Sequence, residues 1–526
     1  MFFPYFCSDL SIITQKTVKT FFTSYGVILV LVFVGTVLGF TSVSKHKLSG
    51  DELLTLNTAT GFGHSPLINN TWAVSPIPPD KKVFTQNDYW ARNTIPDVLQ
   101  NTATYNGNMV AYNILLYYFI KLTHVDDGLL RSLSALFYII SILLVYFIAK
   151  NLFSDSKPAI ISAGLFALNP FVLHMGHDLR GYSFATMTTL LASFLLLKLS
   201  HQQTAKAKST IGWAIMLGIL YGVSFLSHYF TVYILLGHLL YGFYNYFILK
   251  KNILISEFIA FIICALFFAA WYVNGGKEGF VSMGIQDKYI LSITSPQTHT
   301  SFGSILMGTV CFVNSVIGYY FQYLGYRNSG FFYVLALPLA TIGFGLFSFP
   351  VNKNDKQSLT FLSIMICFCI FFLQLCSIKA GHVTSLIMTR FGAFIAPYFM
   401  ILLGYALTRL LFGKLVIFKI LSIVILTLHV TLNILCYQIP FGGYWFTYSD
   451  VKGDVVKARN EIVPPNPYPI IANSITQQYN TGDTVVYNSF ITSQNVNLYL
   501  RDAKNLILQE VDIAQKEDYK IKVHTN

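Results

Sequence analysis

The chain has 526 residues, of which 54% are hydrophobic and only 11% charged, with a mean hydropathy of +0.56. Soluble domains carry about 25% charged residues, so this chain cannot clothe a globule in polar side chains, and lipid must be the solvent for much of it. The net charge of +12 lies mostly in short loops between apolar runs, which fits membrane topology and anionic headgroups and argues against a nucleic-acid partner.

The first predicted span is Phe22–Val43, preceded by Lys16 and Lys19 without a cleavable signal pattern, so it is expected to stay as an anchor. A long polar stretch begins at Lys45; loops of that length are usually functional. Met109–His124 is apolar but short and is interrupted by Tyr112, Tyr117, Tyr118 and Lys121, which predicts a helix lying against the membrane. Spans follow at Leu129–Ala149, Ala159–Met175, Ser183–Leu197, Ile211–Ser227, Phe230–Leu249 and Ile255–Val273. After the polar loop Asn274–Thr300, Ser304–Tyr323 reads as a second interfacial helix. The last spans are Phe331–Phe349, Leu359–Ile378, Phe394–Leu411 and Val416–Cys436, for about eleven in all. The seven cysteines fall mainly in or at the ends of these runs and read as small core hydrophobes, not as a disulfide framework or zinc site.

Short-loop cations set the orientation. Lys150, Lys157, Lys198, Lys250, Lys251, Lys353, Lys356, Arg409, Lys414 and Lys419 all fall on the cytoplasmic side if the two interfacial helices do not cross. The tail, Gln438–Asn526, then lies outside. Gly482-Asp483-Thr484-Val485-Val486-Tyr487 reads as a turn into a strand, with further strands at Leu506-Ile507-Leu508 and Ile521-Lys522-Val523. The expected architecture is an all-helical transmembrane domain, 1–437, with its first external loop at about 44–128, and a small extracytoplasmic α/β domain, 438–526.

Ionisable groups in or beside spans are expensive and are functional candidates. Asp51-Glu52, the turn His177 to Tyr182 with Asp178 and Arg180, the pair His228-Tyr229, Arg131 and Arg390 all fall on the predicted external face. A carboxylate there can take a proton from a hydroxyl, and arginine can hold a phosphate and its developing charge. Each has a plainer reading: Asp51-Glu52 as first-turn acids of a loop helix, Arg180 as a snorkelling residue, His228 as a satisfied buried histidine, and Arg131 as the partner of Asp126 or Asp127.

The order of these motifs resembles the GT-C membrane glycosyltransferases, in the bacterial branch related to dolichyl-phosphate-mannose protein mannosyltransferases and the aminoarabinose transferase of lipid A. The likeness rests on Asp51-Glu52 in Gly-Asp-Glu-Leu-Leu, Arg131-Ser132-Leu133-Ser134-Ala135-Leu136, Asn169-Pro170 through Asp178-Leu179-Arg180-Gly181-Tyr182, His228-Tyr229, and Arg390 with Pro397 after it. Where the family has His-Pro-Pro, this chain has Asn108-Met109-Val110.

The resemblance implies the GT-C fold and inverting transfer of a sugar from a polyprenyl-phosphate donor to a glycan, lipopolysaccharide or protein acceptor. The site would be on the external face of a bacterial inner membrane. It implies Asp51 as general base, and Glu52 as orienting the acceptor or binding a divalent metal ion if one is used. Arg180 and Arg390 would hold the donor phosphate, with Asp178, Tyr182, His228 and Tyr229 lining the substrate site. A transporter or flippase of lipid-linked sugar is the alternative, although transporter sites usually lie at the membrane midplane.

Overall fold

A computed structural model describes residues 15–41, 50–60, 83–85, 94–105, 108–123, 126–201, 207–251, 253–284, 341–347, 352–379, 391–438, 468–478, 483–487, 507–510 and 522–524, with a few single positions between. Most of the predicted runs Ser304–Tyr323 and Phe331–Phe349 lies outside the described residues. Helix α1 is Gln15–Thr41. The first loop holds α2 (Gly50–Ala59), β1 (Val83–Thr85), α3 (Ile95–Tyr105) and α4 (Val110–Leu122). The bundle continues with α5 (Asp127–Phe153), α6 (Ser156–Ala167), α7 (Pro170–His177), α8 (Tyr182–His201), α9 (Ala207–Ser227), α10 (Val232–Phe247) and α11 (Leu254–Trp271). Then come α12 (Lys353–Ser363), α13 (Cys369–Lys379), α14 (Ala396–Leu411) and α15 (Val416–Gln438), and the tail adds α16 (Tyr468–Gln478), β2 (Thr484–Tyr487), β3 (Ile507–Glu510) and β4 (Lys522–His524).

Among the described residues five helices are long and apolar enough to cross a membrane, or six if the bent pair α6 and α7 is one span. Large apolar side chains such as Leu29, Phe33, Ile262, Leu266 and Val273 are exposed on the outside of the bundle, where hydrocarbon is their solvent. Helix α4 has 13 residues, or about 20 Å, short of the ~30 Å hydrocarbon core. It does not span. Val110, Tyr112, Asn113, Leu116, Tyr117 and Ile120 are buried, so neighbouring helices cover much of it.

Two local features shape the bundle. At the break between α6 and α7, bent by 59°, Pro170 offers no N–H and Asn169 caps the new helix, its Oδ1 accepting from Phe171 N at 2.9 Å. That removes the usual donor to Ala167 O, and the Tyr138 hydroxyl donates to it instead. Between α9 and α11, Gly218 and Gly222 permit close packing: a Cβ on Gly218 would stand 2.7 Å from Ile263 Cβ and 3.0 Å from Ala260 O. This is the small-xxx-small contact that joins helices in lipid.

The predicted tail strands are present. The sheet has the order β1-β3-β2-β4, with β2 and β3 parallel and the other pairs antiparallel. Its fourth member was not foreseen: β1 belongs to the first loop and pairs Val83, Phe84 and Thr85 with Gln509, Leu508 and Ile507. In the same way, Ala472 and Ile475 of α16 share a buried apolar cluster with Leu48, Leu56, Met109 and Leu179. Loop and tail are built together at one end of the bundle.

Candidate active site

Asp51 and Glu52 both sit in the first turn of α2, yet their environments are opposite. The Asp51 side chain is 44% exposed, whereas that of Glu52 is 4% exposed and pairs with Arg131. Arg131 Nε donates to Glu52 Oε1 and Nη2 to Oε2, each at 2.7 Å, a fork-to-fork geometry suited to two planar groups. Arg131 lies near the start of α5, which Asp126 caps, Oδ1 accepting from Leu129 N at 2.8 Å. The partner of Arg131 is thus Glu52, and the expectation of an Asp126 or Asp127 bridge is corrected. Asp126 is spent on the cap, and a buried carboxylate 79 positions earlier in the chain needs the cation more.

Glu52 Oε1 also accepts from Leu179 N at 3.0 Å, which draws the turn after α7 onto α2. The next residue, Arg180, is buried and does not snorkel. Its Nη1 donates to Asp51 O and Thr55 Oγ1, both at 3.0 Å, and its Nη2 lies 3.8 Å from Asp51 Oδ2. Thr55 follows Asp51 by one helical turn, so both reach the same guanidinium. Asp178 is partly buried; its burial, with the Glu52 and Asp51 carboxylates near, pushes its carboxyl up to about 8 against the pull of Arg180 and Arg131. Tyr112 packs beneath, its hydroxyl 2.9 Å from Ser134 Oγ.

The apolar wall comes from the next turns. The Tyr182 ring centroid is 5.1 Å from that of His228, and His228 is 5.1 Å from Phe394. His228 is 1% exposed, and its Nδ1 accepts from Phe230 N at 3.3 Å, opening the short turn Tyr229–Thr231. That is the satisfied buried histidine of the plainer reading. Tyr229 accepts from Trp271 Nε1 at 2.8 Å and stacks on Phe280; burial pushes its phenol up to about 12, so it stays protonated.

The structure therefore gathers Asp51, Glu52, Asp178, Arg180, Tyr182, His228 and Tyr229 at one end of the bundle. Arg390 lies outside the described residues; the turn that follows it, Phe391–Phe394, brings Phe394 against His228. The Glu52 carboxylate, named above for a divalent ion, has both oxygens committed to Arg131, and a guanidinium there opposes a second cation. Among the described residues no group of three or more His, Cys, Asp or Glu side chains is placed to hold a metal ion. Sequence inspection missed Thr55, although its four-residue spacing from Asp51 marks it. It also missed Asn108 and Met109 as structural members of the site.

The family model described as dolichyl-phosphate-mannose-protein mannosyltransferase matches residues 109–273, from the start of α4 to just past α11. A search of curated proteins finds no match. Among solved structures, ArnT from Cupriavidus metallidurans in the apo state is similar at a TM-score of 0.51 and 13% identity, over 91% of this chain and 85% of that one. The same protein bound to undecaprenyl phosphate gives 0.50 and 15%, over 93% and 86%. The archaeal oligosaccharyltransferase AglB from Archaeoglobus fulgidus gives 0.47 and 13%, over 88% of this chain, which spans 58% of its length. The match across 109–273 covers less than a third of this multi-pass membrane chain, and the chain shares the fold of ArnT.

Proposed function

We propose that the chain transfers a sugar from a polyprenyl-phosphate carrier to an acceptor hydroxyl at the external face of a bacterial inner membrane, with inversion at the anomeric carbon. The observation that carries this reading is the half-open Asp51 carboxylate held beside the buried Arg180 guanidinium. The fold shared with ArnT, which has been seen with undecaprenyl phosphate, supports the donor class. The acceptor oxygen attacks the anomeric carbon, the bond from that carbon to the phosphate oxygen breaks, and the carrier leaves as polyprenyl phosphate. Asp51 takes the hydroxyl proton. Arg180 stands where a cation offsets the charge gathering on the leaving phosphate, and Arg390 is the second candidate for that task. Glu52 and Arg131 hold α2 and the Arg180 turn in register. Asp178, Tyr182, His228 and Tyr229 line the approach. The acceptor is an envelope glycan, lipopolysaccharide or a protein.

The test is incubation of the purified full-length protein in detergent with undecaprenyl-phosphate-linked sugars and candidate acceptors. Release of undecaprenyl phosphate is expected, and Asp51→Asn lowers kcat by about 10²–10⁴ with the melting temperature unchanged. Full turnover by Asp51→Asn would remove the base assignment. Movement of the lipid-linked sugar across vesicles without bond cleavage would replace the transferase by a flippase.

A further inference from the structure

Four consecutive backbone N–H groups define the turn that carries Arg180. Asp178 N donates to His174 O at 3.1 Å and Arg180 N to Asp178 O at 2.7 Å, both within the local chain. The other two reach distant segments: Leu179 N donates to Glu52 Oε1 at 3.0 Å, and Gly181 N to Met109 Sδ at 3.3 Å. A thioether is a weak acceptor, so its use for a buried N–H calls for tight placement of the sulfur.

The chain spends conformational strain on that placement. Met109 has φ 61° and ψ 27°, in the left-handed region, at the start of α4. Its side chain is buried. Non-glycine residues persist there only where their surroundings over-determine them, and such sites cluster at functional centres. Here the surroundings are explicit. Asn108 Oδ1 accepts from Met109 N at 2.9 Å and from Tyr229 N at 3.2 Å, so one amide ties the corner to the His228 turn as well. Gly181 completes the fit: a Cβ there would stand 2.9 Å from Ser227 O and 3.1 Å from Met109 Cγ.

We propose that Asn108 and Met109 are positioning residues that set the Arg180 turn, and through it Asp51, against the His228 turn. This rests on the glycosyltransferase reading above. The corner occupies the chain position where the resembled family places His-Pro-Pro, and it does so with side chains that bind the protein's own backbone.

The experiment measures undecaprenyl phosphate affinity and transfer by the full-length protein carrying Met109→Leu or Asn108→Ala, each alone and combined with Arg180→Lys. Leucine keeps the apolar bulk and removes the sulfur; alanine frees Met109 N and Tyr229 N. Each single corner variant is expected to weaken affinity about tenfold, and less than twofold when Arg180 is already lysine, because residues acting through one another are non-additive. A purely packing role would give the same loss in both backgrounds, and that additive result overturns the proposal, as does unchanged affinity in the corner variants. Asn108→Ala carries the test if Met109→Leu does not fold. Absence of binding by the unsubstituted protein would overturn the donor assignment and this proposal together, whereas binding with an additive cycle overturns this proposal alone.

Discussion

Replacing Arg131 by methionine would leave the Glu52 carboxylate buried without its counter-charge. The carboxylate is 4% exposed, and Arg131 meets it with two bonds of 2.7 Å. Breaking such a pair from one side costs about 3–5 kcal/mol, because the abandoned charge keeps its full desolvation penalty. At about 2 °C per kcal/mol, the value for larger domains, the melting temperature should drop by about 6–10 °C. The damage should also reach the site, since Glu52 Oε1 is the acceptor for Leu179 N beside Arg180. Glu52→Gln with Arg131→Met removes both charges, and such paired replacements are often neutral or even stabilising. The assay is thermal unfolding in detergent, followed by tryptophan fluorescence, on the wild type, the two single variants and the double variant. A loss below about 1 kcal/mol in Arg131→Met would mean that the pair is worth no more than a surface bridge. A double variant as unstable as the sum of the singles would equally refute the reasoning.

Other expectations follow from single contacts. Asp178 holds its proton up to about pH 8 in the folded chain, against an ordinary value near 3.9 in the unfolded chain. Its contribution to stability is therefore full below about pH 4 and lost as pH rises through about 8. The melting-temperature advantage of the wild type over Asp178→Asn should shrink between pH 5 and pH 8.5, and a constant difference would remove Asp178 as the titrating group. Thr55→Val deletes the hydroxyl that accepts from Arg180 Nη1; a loss of about 1–3 kcal/mol is expected by melting, with Thr55→Ser close to wild type. Gly222→Leu would drive a side chain into Phe267, whose Cβ is already 2.9 Å from where a Cβ would sit. Overpacking there should cost about 1–3 kcal/mol or more and lower the yield of monodisperse protein on gel filtration.

Five of the predicted spans were legible because apolar composition over twenty residues is a one-dimensional signal. The predicted Leu129–Ala149 is α5, extended by caps that a hydropathy window does not see. The predicted Ile255–Val273 is α11, continuing into a π-turn at Tyr272–Gly276. The predicted span Ala159–Met175 contains Asn169-Pro170, a helix-start signal that the structure uses to break it. The residues of the site were legible for the same reason, since charge stands out in an apolar chain. Their pairing was not. Glu52 and Arg131 are far apart in sequence, and nothing local distinguishes Glu52 from Asp51, yet only one of them is sealed. The β1–β3 pairing was illegible because a three-residue strand in a long polar loop carries too little pattern to set against turns and coil.

The arrangement of charges bears on which residue can work. In a low-dielectric bundle an ionised group must be paired, hydrogen-bonded or neutral. Glu52 is paired and has no oxygen left over for chemistry. Burial and the nearby Glu52 carboxylate push the Asp178 carboxyl well above the ordinary range. Arg180 is committed to the backbone and hydroxyl of α2. Among these groups Asp51 alone combines solvent access with a neighbouring cation, the arrangement that the proposed transfer requires. The helix that presents it rests on an apolar bed that includes Leu56 and Leu179 and extends to Ala472 and Ile475 of α16. Tail and first loop therefore share the task of holding α2 still, and a boundary drawn at residue 437 separates in sequence what the fold uses as one support.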